Sequence, residues 1–173
     1  MKNLSLLCVG ALSLAASTAA VAGSPDPVAA APVATALPAP KPGMGQVVIF
    51  RPSSMGFAIK CTVRENGAMV GRVGAGKYYV IDAAPGVHNF TAKSEATDTV
   101  AIQVEADETS YLKCGISMGL MVGRPNLSPG TEQDFAKSAA KMKPMESDKI
   151  AAEIEKDQLA LAAKAGKTTG SSN

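Results

Sequence analysis

Tryptophan is absent from this chain, and only four Phe and three Tyr stand among its 173 residues. That scarcity excludes an aromatic platform on which sugars or bases could stack. A single histidine, His88, cannot make a triad by itself, and no Ser lies in a Gly-x-Ser-x-Gly turn, so an activated nucleophile with its base is not legible. Charge of one sign is lacking too. Seventeen Lys and Arg face fifteen Asp and Glu without a clustered basic run, which sets nucleic acid aside.

Long apolar runs are equally scarce, with one exception. Leu4 to Ala22 follows a single Lys2 and ends in Ala20-Val21-Ala22. A positive start, a short hydrophobic stretch and small residues at the −3 and −1 positions form an export signal, so cleavage is expected after Ala22 and the mature chain at Gly23. The run approaches the ~20 residues that span a bilayer, but Ala and Ser dilute it and weaken the reading of a permanent anchor. Cys8 follows Leu7 inside the run, without the small preceding residue of a lipoprotein signal. The expected location is the periplasm or the exterior, with membrane contact through the signal only.

Loss of the signal leaves two cysteines, Cys61 and Cys114, and an even number in an oxidising compartment points to a bridge. Ile59, Cys61 and Val63 alternate with polar residues, as do Leu112, Cys114 and Ile116, so both thiols fall on the inward faces of strands. Such a bridge would be worth roughly 4 kcal/mol in the chain-entropy model. Two separate buried thiols are the alternative.

Residues 23–43 form a Pro/Ala-rich linker, with Pro25, Pro27, Pro32, Pro38, Pro40 and Pro42, which favours extended segments and builds no core. From Gln46 to Val122 the pattern has period two with turn residues between short runs. It predicts a mainly β protein, a single antiparallel β-sandwich of seven or eight strands. Pro52 stops the first strand and leaves Arg51 at a sheet edge. Around Glu65-Asn66-Gly67 a three-residue loop is expected, because a two-residue loop would set Cys61 opposite the charged Arg72. Pro85-Gly86 is a type II turn signal, and Gly119 to Val122 offers a short last strand.

One or two C-terminal helices complete the expected architecture. Thr131 and Asp134 have capping-box spacing, and Phe135, Ala139 and Met142 share a helix face. These predict a docking helix that closes a domain over residues 44–143. Residues 144–173 are read as a second helix, roughly Asp148 to Ala163, followed by a disordered tail from Gly166.

The order of motifs resembles a known family. Phe50-Arg51-Pro52-Ser53-Ser54, Asn66-Gly67 before Val70-Gly71, Gly76-Lys77-Tyr78, Ala84-Pro85-Gly86-Val87-His88 and Gly115-Ile116-Ser117-Met118-Gly119 after Tyr111 carry the resemblance, over about Gly45 to Lys143. It is similar to a bacterial family catalogued as a domain of unknown function, numbered twenty-eight forty-six. The resemblance implies an exported or lipid-anchored β-sandwich and no catalytic residues. Leu112 departs from the pattern where the family often has a second aromatic, and the lipidation cysteine of many members is not found.

The function expected is a non-catalytic cell-envelope protein, a structural or protein-interaction module with no cofactor, whose partner is an envelope protein or cell-wall component. The alternative is periplasmic copper binding, since Met118 and Met121, and Met142 and Met145, are thioether pairs three residues apart. Core packing is the plainer use of those methionines. Asp98, Glu105, Asp107 and Glu108 crowd two turns but lack the ligand ladder of a calcium loop, so a solvated edge is expected there. His88, just after the Pro85-Gly86 turn, is assigned a structural role.

Overall fold

A computed structural model of the chain describes residues 37–93, 97–119 and 123–169, with side chains through residue 166. The expected signal segment, the linker up to residue 36, residues 94–96, Leu120 to Val122 of the expected last strand and residues 170–173 lie outside the described residues.

The strands are β1 (Gly45–Arg51), β2 (Cys61–Glu65), β3 (Ala68–Val73), β4 (Lys77–Ala83), β5 (Gly86–Lys93), β6 (Thr97–Val104), β7 (Thr109–Ser117) and β8 (Arg124–Gly130). Helix α1 (Glu132–Ala139), a two-residue strand β9 (Lys143–Pro144) and helix α2 (Ser147–Thr169) follow. Two sheets face each other, one in the order β8-β7-β1-β4-β9 and one in the order β3-β2-β5-β6. The second is antiparallel as expected. The first is mixed, because β1 runs parallel to β7 and β4 parallel to β9.

Between the sheets lies one core that includes Val47, Ile49, Val63, Phe90, Val104 and Leu112. A second core forms on the outer face of the five-stranded sheet, where α1 sets Phe135, Ala139 and Met142 against Val48, Phe50 and Tyr78. Phe135 meets the rings of Phe50 and Tyr78 edge on, at 5.5 and 5.1 Å. Its helix starts at the Thr131/Asp134 capping box as the spacing implies. Strand β1 is therefore covered on both sides and buried along its whole length. Burying each such aliphatic or aromatic side chain is worth about 1.5–3 kcal/mol.

Central placement of β1 overturns the expectation for Arg51. The residue is fully buried, because β7 and β4 flank its strand and the following loop folds back over it. The β2–β3 hairpin also differs. Glu65 pairs with Ala68, so the loop is the two-residue Asn66-Gly67, with φ of 49° and 84°. A bulge at Val70 then resets the register, so that Cys61 pairs with Val73 and not with Arg72. Arg72 stays on the outer face, donating to Thr62 at 2.9 Å. Gly71 is required here for a close approach, since a Cβ would lie 2.4 Å from the Tyr79 ring.

The eighth strand comes later than expected, at Arg124–Gly130, and holds two prolines. Its register with β7 runs from Ser117↔Arg124 to Tyr111↔Gly130. The N–H of Leu127 points away from β7 and donates to Asp98 Oδ2 at 2.6 Å. Pro125 and Pro129 have the same parity as Leu127, so their missing N–H groups subtract nothing from the ladder of this edge strand.

Helix α2 also runs further than expected, through Thr169 where a disordered tail was read. Ile150 is buried and Ile154 packs on the inter-sheet core, while Leu159 and Leu161 are exposed. A bidentate Arg64–Asp157 pair at 2.8 and 2.6 Å and a Lys60–Glu153 pair at 3.0 Å fix the helix to the β2 side of the fold.

Candidate functional site

The loop after β1 is built around a cation. Pro52 ends the ladder, and the chain turns back so that the Arg51 guanidinium donates to the carbonyls of Met55 at 2.5 Å, Gly56 at 2.9 Å and Ile59. No carboxylate takes part in these bonds. Burial holds the guanidinium pKa below its ordinary value, and three carbonyl dipoles replace the lost hydration. Ser53 accepts from the Met55 N–H at 3.1 Å, and Ile59 N–H donates to Gly56 O at 2.9 Å. Much of the loop's polar backbone is thus turned inward.

Its side chains consequently face outward. Met55 is 72% exposed and Phe57 82%. Beside them the end of β7 brings Met118, 94% exposed, and Gly123 lets the two loops approach, since a Cβ there would lie 2.4 Å from Ile59 Cδ1. Met55, Ile59, Ile116 and Met118 line an apolar hollow of about 180 Å³. Neither Pro52–Ile59 nor Gly115–Gly123 contains a charged residue. We call this end of the sandwich the tip and the end holding Pro85-Gly86 and Asp107 the base.

The residues singled out from the sequence are scattered. A disulfide joins Cys61 at the start of β2 to Cys114 of β7, with Cα atoms 6.6 Å apart, and so links the two sheets near the tip. His88 lies toward the base, with Nδ1 2.6 Å from Glu65 Oε1, Nε2 2.7 Å from Ala84 O, and its ring stacked on Phe90. Burial opposes its charged form, but the Ala84 carbonyl and the Glu65 carboxylate outweigh burial and raise the pKa. Both nitrogens are engaged, which suits a clamp.

The methionine pair that can be placed is split. Met142 is in the core under α1 while Met145 packs against the inter-sheet core, and Met121 lies outside the described residues. The acidic residues are divided as well. Asp98 receives the Leu127 N–H, Glu105 receives Gln103 Nε2 at 3.1 Å, and Asp107 receives the Gly43 N–H at 2.9 Å. Among the described residues no group of three or more His, Cys, Asp or Glu could hold a metal ion, and no helix is long and apolar enough to cross a membrane.

Sequence reasoning missed the tip. The available signal was two charge-free segments, one with Met55 and Phe57 flanking Gly56 and one with Met118 beside Gly119, at the ends of strands that topology makes neighbours.

At the base, the last part of the Pro/Ala segment belongs to the fold. Leu37 packs on the second core, Gln46 Nε2 donates to Pro38 O at 2.9 Å, and Lys41 pairs with Asp82 at 2.6 Å. The described chain therefore enters at the end opposite the tip.

Residues 41–125 match the model of a family described as "Protein of unknown function (DUF2846)". No curated protein and no solved structure matches the chain. Both tip loops lie within the matched segment, and both helices lie beyond it.

Proposed function

The chain carries a domain of the DUF2846 family, and from that premise we propose a non-catalytic cell-envelope module, exported by its N-terminal signal, that makes contact with another envelope component through its tip. One observation carries the reading: Met55 and Phe57 are held outward on a loop whose backbone is organised by a fully buried arginine, with Met118 exposed beside them. Exposed apolar side chains gathered at one place mark an interaction surface, whereas scattered ones need no explanation. The disulfide and the buried Arg51 make the platform behind them rigid, which lowers the entropy lost on contact.

Photo-crosslinking in intact exporting cells tests this. A photoreactive amino acid in place of Phe57 or Met118 should give adducts with envelope components. The same group in place of Val87, an exposed apolar residue at the base, should give none. Adducts from Val87 alone would sink the proposal.

A further inference from the structure

The tip's occupant can be narrowed by charge and by backbone chemistry. Exposed lysines frame the apolar loops. Lys60 immediately follows the Arg51-bound loop, and Lys77 lies opposite Arg51 with Lys143 paired beside it on the sheet edge. Lys141 is next to Lys143, and Lys93 ends β5 at the same end of the molecule. Lys60 is paired with Glu153 at 3.0 Å and Asp98 accepts the Leu127 N–H, so the basic rim rests on Lys77, Lys93, Lys141 and Lys143. The base is richer in acid, with exposed Asp82, Glu105, Asp107 and Glu108, of which Asp82 pairs with Lys41.

A protruding apolar tip inside a basic rim is complementary to an anionic lipid surface, where acyl chains receive the side chains and headgroups receive the lysines. Backbone chemistry supports the same occupant. Entering a bilayer strands polar backbone groups that lack partners, but the Met55, Gly56 and Ile59 carbonyls already bind Arg51. A hollow of about 180 Å³ is too small to seat a partner helix, whereas Met55, Phe57 and Met118 project into the surroundings. We propose that the tip inserts shallowly into an anionic bilayer surface, with Phe57 and Met118 reaching the acyl boundary and the lysine rim on the headgroups. This deepens the contact reading above and rests on it.

Absence of Trp gives the test a clean reporter. In the exported protein, Phe57→Trp should shift its fluorescence to the blue on vesicles of equal parts phosphatidylglycerol and phosphatidylcholine, and be quenched by brominated acyl chains. Val87→Trp at the base should do neither. Phe57→Ser with Met118→Ser should weaken vesicle binding about tenfold. Lys77→Glu with Lys143→Glu should weaken it by a similar factor on anionic vesicles, with little change on phosphatidylcholine alone. Unchanged melting of each variant, all at exposed positions, shows the fold intact. No shift at position 57 on any vesicle, with protein adducts or a self-adduct from photo-crosslinking there, overturns the lipid assignment and leaves the contact reading standing. No shift and no adduct overturns both.

Discussion

The two ends of the sandwich are held by different means. At the base the turns are short and their own residues set the geometry: Pro85-Gly86, Asn66-Gly67 with both φ positive, and Asp107 at φ 60°. At the tip the link from β1 to β2 is long, and its shape comes from elsewhere in the fold, through a guanidinium buried at the end of the central strand and a disulfide to the opposite sheet. A short turn carries its conformation in its residues. A long loop takes one conformation only where a distant partner compensates its entropy.

That contrast can be broken at three places. The largest effect is expected at the disulfide, whose cysteines are 53 residues apart in sequence. Changing Cys61 and Cys114 together to Ala should retain strand content and lower stability in denaturant by about 4 kcal/mol. A loss below about 1 kcal/mol would mean that the sheets need no covalent link near the tip.

Next comes Arg51. Arg51→Ala removes the donors of three carbonyls and opens a void, at a cost of about 3 kcal/mol. Hydrogen exchange at the Ile59 amide should accelerate, while the Asp107 amide, bonded to Met44 O at 2.8 Å, stays protected. Arg51→Lys should recover under half of the loss, because an ammonium cannot present the planar fork. Equal exchange at Ile59 in wild type and variant would remove the guanidinium as organiser of the tip.

The smallest effect belongs to His88 on the base side. Its folded pKa is raised above the unfolded value of about 6.5, so its contribution is fully present below about pH 6.5 and disappears as pH rises through the folded pKa. Against His88→Gln, the wild type should hold an advantage of under about 1 kcal/mol in mild acid and lose it in mild base. An advantage that grows with pH would reverse the sign and dissolve the Glu65–His88–Ala84 clamp.

Where pattern and structure parted, a contact distant in sequence decided the outcome. Cys61 does avoid Arg72, but through a bulge at Val70 rather than a longer loop, and the Tyr79 ring occupies the space over Gly71 beside that bulge. Strand β8 holds Pro125 and Pro129, and only the outward Leu127 N–H, bonded to Asp98, shows that they sit at positions the ladder does not use. Arg51 looked like an edge residue because Pro52 follows it, and only strand order shows that its strand is central.

By itself the sequence determined the strand faces, the inward pointing of Cys61 and Cys114 and the capping box of α1, since each depends on neighbours a few residues away; the type II turn expected at Pro85-Gly86 did not form, because Gly86 opens β5 at φ 139°. Tertiary structure alone decided the parallel pairing of β1 with β7, the burial of Arg51 and the gathering of Met55, Phe57 and Met118 at one end. Period two says which way a side chain points, but not which strand lies beside it, and the tip exists only because β1 and β7 end side by side.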